Sequence, residues 1–421
     1  MIEPPEPRRA PPPVQAFAAL RHPDYRWYFL TSVATMLADS VEHVISYWVI
    51  FQAFHSPALA GFAVISHWLP FLVLSVWMGS LADRIDCRKL IQASQALFML
   101  ASLLWGILYL TGTLRAWHAA ALLVLHGLAG VIAQPASQLI IHDIVGAGHL
   151  QSAVRLNASS RHLAILLGPA VGGGLMLLLG PGWGLIANVL IYVPLSIFLI
   201  RAPYTGHDRD GLTARASSLG LEEARRILAE IRSDRRIVTM IVLGGVTSLF
   251  VGNAFQAQMP EYAHHLGGDE SGVGYSILLA ANALGAVVGA LLLESLALLR
   301  PGVRTALVCA AIWAVLMGLF PAAQGYGAAV TLLLLAGLFN IAFTAMAQTL
   351  VQVLAPARLR GRVVGLFAAS SLGLRAGSGV TVGVLGEVID IHWSLALSST
   401  AVLLITLALL ALDVRYAESR P

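Results

Sequence analysis

Asp39, Glu42 and His43 stand in the apolar run RWYFLTSVATMLADSVEHVISYWVIFQAF. Spacings of three and four put all three on one face of a helix. A carboxylate in hydrocarbon is costly enough that such a face must look into a protein interior or a water-filled cavity. Two carboxylates so close compete for charge, an arrangement suited to taking up and releasing a proton, and His43 beside them is the residue type whose charge changes nearest neutral pH. Asp39 is expected to be the more deeply placed of the pair. The structural alternative is that hydroxyls, or the guanidinium of Arg161 or Arg375, cap these carboxylates, and that His43 is a hydrogen-bonded packing group.

The elements that must position these groups are membrane helices. Of 421 residues 57% are hydrophobic and 11% charged, and mean hydropathy is +0.77, whereas a soluble domain is about 25% charged. Apolar runs long enough to cross a bilayer recur along the chain without the alternation of barrel strands. The fold class is therefore an all-α membrane protein of twelve transmembrane helices in two six-helix halves. The spans run Trp27–Phe54, Leu59–Met78, Leu90–Thr111, Trp117–Ile140, Ala153–Leu179, Trp183–Ile200, Ile237–Gln258, Gly272–Leu293, Arg304–Ala322, Ala328–Val351, Val364–Glu387 and Trp393–Leu412.

Residues 1–200 form the first half with its tail, 201–236 a linker, and 237–421 the second half. In the linker Leu221, Ala224, Ile227, Leu228 and Ile231 share one helical face, as expected of a short interfacial helix. Basic residues cluster at one end of the bundle: Arg8, Arg9, Arg21 and Arg26 before span 1, Arg84, Arg88 and Lys89 after span 2, Arg155 after span 4, and Arg358, Arg360 and Arg362 after span 10. Cytoplasmic loops retain Arg and Lys, so both termini are expected in the cytoplasm of a bacterium whose plasma (inner) membrane holds the chain. The net charge of +4 is then a topology signal with no nucleic-acid surface behind it. Two cysteines in separate halves give neither a disulfide framework nor a zinc site.

The stretches HLQSAVRLNASSRHLAILLGPAVGGGL and ARLRGRVVGLFAASSLGLRAGSGVTVGVL align as internal repeats, Val154 with Val363, Gly168 with Gly377 and Gly174 with Gly383. Six-helix halves related by an axis along the membrane normal are a transporter architecture with a midplane site between them.

Over its whole length the chain resembles the major facilitator superfamily. GSLADRIDCRKL resembles the family's loop between spans 2 and 3, usually written G-x-x-x-D-R-x-G-R-R: Gly79, Asp83, Arg84 and Arg88 match, while Asp86 and Cys87 depart. LLGPAVGGGL resembles the span 5 antiporter signature through Gly168, Pro169, Gly172 and Gly173, with Ala164 in place of the first glycine. These stretches, with FAALRHPDYRWYF, are similar to the branch of bacterial exporters that includes the enterobactin exporter. The resemblance implies a cytoplasmic latch in which Asp83 sits at the positive end of span 11 near Arg360 or Arg362, and it implies alternating access. Related drug–proton antiporters place an arginine in span 4; here LLVLHGLAGVIAQPASQ has none, and His126 is its nearest polar residue.

Gln134, Gln138, Arg161, Asn253, Gln256, Asn282, Asn340 and Arg375, with Gln348 and Glu261, are candidates to line the cavity or to act as interhelical glue. The expected activity is secondary active transport, proton-coupled export of a small organic molecule such as a siderophore, drug or amphiphilic metabolite. The partners are that cargo, protons and the bilayer, for a monomer with no cofactor and no metal. An importer or facilitator of a nutrient or lysolipid is the alternative. A membrane enzyme or receptor is the remote one, since no P-loop, dinucleotide fingerprint or triad spacing appears and HDIVGAGH (His142, Asp143, His149) matches no metal motif.

Overall fold

Short caps and positive-φ residues decide where each helix begins and stops. The computed structural model describes residues 17–207, 225–226, 229–232, 234–267, 271–296, 302–356 and 359–418, and among them there are helices and no strand. Helix α1 (Pro23–Phe54) starts with proline in its first turn and stops at His55, whose φ of 45° is left-handed. Ser56 then caps α2 (Pro57–Ala82) by accepting from the Leu59 amide at 3.2 Å. Asp86 caps α3 (Cys87–Leu110) through the Arg88 amide at 2.9 Å.

From Ala116 to Arg201 the chain is helical except at Gly146 (φ 65°) and Gly180 (φ 77°), non-helical positions that glycine occupies without a Cβ penalty. They divide it into α4 (116–145), α5 (147–179) and α6 (181–201). The second half holds α7 (Arg235–Phe250, followed by the short turns Ala254–Ala257 and Met259–His265), α8 (Val273–Leu296), α9 (Val303–Leu319), α10 (Tyr326–Leu354), α11 (360–389) and α12 (Ile391–Glu418). These are the twelve spans expected from the sequence. Ten stretches of the described residues are long and apolar enough to cross a membrane. Helix α1 falls outside that measure, and α5 and α6 run together across Gly180 in one stretch of 39 residues, which accounts for the other two. Trp117, Trp183 and Trp393 open α4, α6 and α12 and are exposed, an interfacial aromatic belt around one end of the bundle.

Of the two glycine pairs aligned as an internal repeat, Gly168 and Gly377 are both tightly packed, whereas Gly383 presses on Gly61 and Gly174 meets nothing within 4 Å. Gly168 of α5 has no room for a Cβ beside Ser40 of α1, and Gly377 of α11 has none beside Leu249 of α7. Across the halves, Gly173 of α5 meets Ser276 of α8, and Gly379 and Gly383 of α11 meet Gly61 of α2. Equivalent helices thus make equivalent close approaches within and between the halves, the packing that small residues permit in lipid.

The halves seal against each other at the end opposite the termini. There the Trp48 and Tyr275 rings stack at 5.9 Å, Tyr275 donates to the Val44 carbonyl at 3.1 Å, and Glu387 Oε2 at the end of α11 accepts from Ser56 Oγ (3.1 Å) and the Ala58 amide (3.0 Å) at the start of α2. A carboxylate on the first turn of a helix also answers its dipole.

At the opposite end the linker begins by folding onto the first half: Cys87 N donates to Thr205 O at 2.8 Å and Gly206 N to Asp143 Oδ2 at 2.6 Å. Of the expected interfacial face, Leu221, Ala224, Ile227 and Leu228 lie outside the described residues, whereas Ile231 is buried.

Candidate functional site

The face of α1 that carries Asp39, Glu42 and His43 packs on α4, and it meets the residue expected to stand alone there. His126 lies between the two carboxylates, its Nδ1 2.8 Å from Glu42 Oε1 and its Nε2 2.9 Å from Asp39 Oδ1. An ionised carboxylate only accepts. Both contacts are therefore hydrogen bonds only if the ring is an imidazolium between two carboxylates or one carboxyl carries the proton, and in either case three groups share it.

His43 turns its Nδ1 to its own helix, 2.8 Å from the Asp39 carbonyl. Its ring stands edge-on to His126 at 4.7 Å and to His67 of α2 at 4.8 Å. Phe98 lies edge-on to His126 at 4.8 Å and is stacked at 5.5 Å on Tyr192, whose buried hydroxyl has no hydrogen-bond partner among the described residues. Glu42, His43, His67 and His126 line one small cavity with Ser46, Ala63, Trp105 and Leu123.

Glu42 is the deeper of the two carboxylates, not Asp39. Glu42 is 2% exposed, whereas the Asp39 side chain keeps 27%. The three-residue step turns the side chain by about 60° round the helix, enough to move it from the cavity edge to the α1–α4 contact. The capping alternatives give way to His126, which occupies both carboxylates where Arg161 or Arg375 was considered. Ring nitrogens of His43, His67 and His126 come within 4.8 Å of one another. That spacing brings imidazoles close enough to be weighed as metal ligands, but both nitrogens of His126 are already engaged by carboxylates, so a proton suits the group better.

Several of the other expected residues hold helices together. Gly168 and Gly172 press on Ser40 and Val44 of α1, and Gly173 presses on Ser276, so the GPxxGG stretch around Pro169 sets α5 against α1 and α8. Asn282 donates to the Leu333 carbonyl at 3.2 Å, a bond between α8 and α10. Asn253 donates to Gln256 at 3.3 Å within the broken end of α7. Gln134 and Gln138 are exposed and Asn340 is half-buried. Arg375 is half-buried with its Cζ 4.9 Å from the Trp68 ring centroid.

Near the end of α2, Gly79 is buried and its carbonyl accepts from the Asp83 amide at 3.1 Å, and in the loop that follows the Asp83 and Arg84 side chains are exposed. Arg88 is held within its own half in this conformation. Its Nη2 binds Asp86 Oδ2 at 2.7 Å and its Nη1 donates to the Ala202 carbonyl at 2.6 Å, so it caps the end of α6 within its own half. The aspartate that replaces the family's glycine draws it there, and its hydrogen bond from Arg88 holds the Asp86 carboxyl below the usual carboxylate range. Arg362 is exposed, and the Arg360 side chain lies outside the described residues.

At the sealed end Glu261 follows α7 and lines a second cavity with Tyr47, Phe51, Ser56 and Gln258. Burial first, then the charges of Asp390 and Glu387, push its carboxyl up to about 7. When the ends separate, the carboxyl returns toward its ordinary value of 4.5. Between those values the sealed state therefore holds a proton that the open state has lost, so raising the pH through this window weakens the seal. Spin labels on Thr113 and Gln324, in loops of the two halves at the sealed end, are expected to report longer distances as pH rises from about 4.5 to 7, and Glu261→Gln should flatten the profile. A wild-type profile without pH dependence would show that Glu261 does not bias the seal.

The fold is shared with solved structures. A bacterial homologue of the human lysosomal transporter Spinster, in its inward-facing and unoccupied conformation, shares the fold with a TM-score of 0.70 at 14% identity over 94% of this chain and 97% of that one. The nucleoside transporter NupG shares it with a TM-score of 0.72 at 13% identity over 92% and 98%. The fold is that of the major facilitator superfamily, and within it the chain belongs to the family described as transmembrane secretion effector, which it matches over residues 14–420.

The uncharacterized MFS-type transporter YfiS of Bacillus subtilis (strain 168) is 26% identical over 419 residues, covering 94% of this chain and 91% of that protein. The staphyloferrin A transporter of Staphylococcus aureus (strain NCTC 8325 / PS 47) is 22% identical over 149 residues, 35% of this chain and 38% of that protein. The putative multidrug resistance protein MdtD of Salmonella typhi is 30% identical over 152 residues, 36% and 31%. The chain thus matches about a third of the length of the last two. It is a multi-pass membrane protein with the major facilitator fold.

Proposed function

We propose that the protein exports a small organic molecule across the bacterial inner membrane by alternating access, driven by protons that bind the Asp39–His126–Glu42 group. The observation that carries this reading is one imidazole hydrogen-bonded by both nitrogens to two carboxylates inside a membrane helix bundle. Ionisable groups at that depth are costly and are typical of proton relays. Export is supported by the family's description and by siderophore and multidrug transporters among the relatives. Arg84, Arg88, Lys89 and Arg201 mark the end with the termini as cytoplasmic by the positive-inside rule. With the opposite end sealed, the described conformation is inward-facing, and Asp83 with Arg360 and Arg362 would act as a latch only after the inner ends close.

Comparative metabolite profiling of cells and medium, with and without the gene, tests the reading. At least one small molecule should be retained in cells lacking the chain and return to the medium when wild type is restored. Uptake of that molecule into cells carrying the chain, down or up its gradient, would make the protein an importer instead.

A further inference from the structure

The cavity at the sealed end lies across the joint between the halves. Tyr47, Ile50 and Phe51 of α1, with Ser56 and Ala60 at the start of α2, form one wall, and Ala257, Gln258 and Glu261 after α7 form the other. Its free space is about 10 Å³, room for the centre of one water-sized group. No arginine, lysine or histidine lines it.

The polar atoms left over in this cavity are acceptors. Gln258 spends its amide nitrogen on the Val382 carbonyl at 2.9 Å. Its Oε1 has no partner among the described residues, although the residue is only 2% exposed. Ser56 Oγ gives its proton to Glu387 Oε2 at 3.1 Å and takes the Leu59 amide at 3.2 Å, so the lone pair that remains can only accept. Glu261 has no hydrogen bond or ion pair among the described residues, and the charges that act on it, Asp390 and Glu387, are both acidic. Tyr47 and Phe51 add aromatic rings, which attract a cation over their faces. His55 and His264 flank Phe51 at 4.9 and 5.6 Å.

Buried acceptors without donors are costly, and an acidic surplus makes a positively charged donor the group that satisfies them. We propose that this cavity binds a primary ammonium group, free or at the end of a slender chain, and that the bound group joins the halves and holds the outer end closed. Such a group has the size of the space, the charge that Glu261 lacks, and N–H donors for Glu261, Gln258 and Ser56. The site is separate from the Asp39–His126–Glu42 group, and it depends neither on the direction of transport nor on the ion that drives it. Where high pH strips the proton from Glu261 and loosens the seal, the cation takes the proton's place.

The test is binding and closure, and requires no transport. Purified protein in nanodiscs of zwitterionic lipid is held at about pH 8, above the value of about 7 to which the Glu261 carboxyl is pushed. Ammonium, methylammonium or tetramethylammonium chloride then replaces sodium chloride at constant ionic strength. Ammonium and methylammonium should raise the melting temperature with saturation and, over the same concentrations, shorten the Thr113–Gln324 spin-label distance. Tetramethylammonium, too large and without an N–H, should do neither. In Glu261→Gln the half-saturating concentration for the melting shift should rise at least roughly tenfold, because a charge-assisted pair is lost. Glu261→Asp should recover part of that loss. Phe51→Leu, which keeps an apolar wall without the ring, should raise it about threefold or more, and it carries the test if Glu261→Gln does not fold.

No saturable gain over sodium overturns the proposal, as does an equal gain from tetramethylammonium or a gain unchanged in both Glu261→Gln and Phe51→Leu. A gain without a shorter distance removes the closing role. A metabolite whose export depends on the gene, in a protein that ignores ammonium, would leave the export reading standing and this one overturned.

Discussion

Proteoliposomes that carry Asp39→Asn with Glu42→Gln should show no cargo-driven change in lumen pH, while exchange of cargo at zero proton gradient persists. The double substitution keeps volume and hydrogen-bonding capacity but leaves His126 between two neutral amides, so no group there needs a shared proton. The rate of coupled proton movement should fall on the order of 100-fold, the usual cost of deleting a positioned acid–base group.

Glu42→Gln alone should do more damage than Asp39→Asn alone, because Glu42 is 2% exposed and water is better able to replace the partly open Asp39 carboxylate. His126→Gln should be harsher still for the fold. It strands two carboxylates against each other, and breaking a buried charge pair costs about 3–5 kcal/mol, so its protein yield must be read beside its transport. An infrared titration of the purified protein needs no cargo: a carboxyl band that titrates in wild type should vanish in the double variant. Should the double variant acidify or alkalinise the lumen at the wild-type rate, coupling lies in the second half or does not involve protons.

Runs of apolar residues near the length of a bilayer core made all twelve helices legible, because hydrocarbon thickness sets helix length whatever the fold does next. Asp39 and Glu42 were legible for the same reason, as carboxylates where carboxylates are expensive. Their partner was harder to see. His126 and His67 sit in HGLAG and SHWLP, isolated polar residues in two other helices, and only tertiary packing brings their rings within 6 Å of each other (5.6 Å). The signal was present, an intramembrane histidine where related antiporters carry an arginine, but a sequence gives no distance between helices. Glu387 was read as the last residue of a span, although its function in the fold is to cap α2 across the interface. Arg88 was legible as a motif residue, but its local partner was not: Asp86, which departs from the motif, holds it at 2.7 Å within its own half.

Gly61→Leu should open the sealed end. A Cβ built on Gly61 would stand 2.6 Å from Gly383 Cα and closer still to the Gly379 carbonyl oxygen, and these neighbours are backbone that cannot rotate away. The contact exists only while α2 and α11 touch at that end, so the penalty falls on the outer-closed state and leaves the outer-open state untouched. Overpacking costs about 1–3 kcal/mol, which moves a two-state equilibrium roughly 5- to 150-fold. The readout is a cysteine at Ala257, which is 2% exposed and lines the outer cavity, in a chain whose buried Cys87 and Cys309 are replaced by serine. Labelling by a membrane-impermeant maleimide from the outside should accelerate at least roughly fivefold, the lower end of that shift. Gly327→Leu, where a Cβ meets nothing within 4 Å, serves as the control and should leave labelling unchanged. In the Gly61→Leu background the inner ends of α2 and α11 should also draw together, and Asp83→Asn should reverse part of that approach if Asp83 is the latch. Unchanged labelling in a folded Gly61→Leu protein would mean that the seal does not depend on the glycine contact and is held by Glu387 and the Trp48–Tyr275 stack instead.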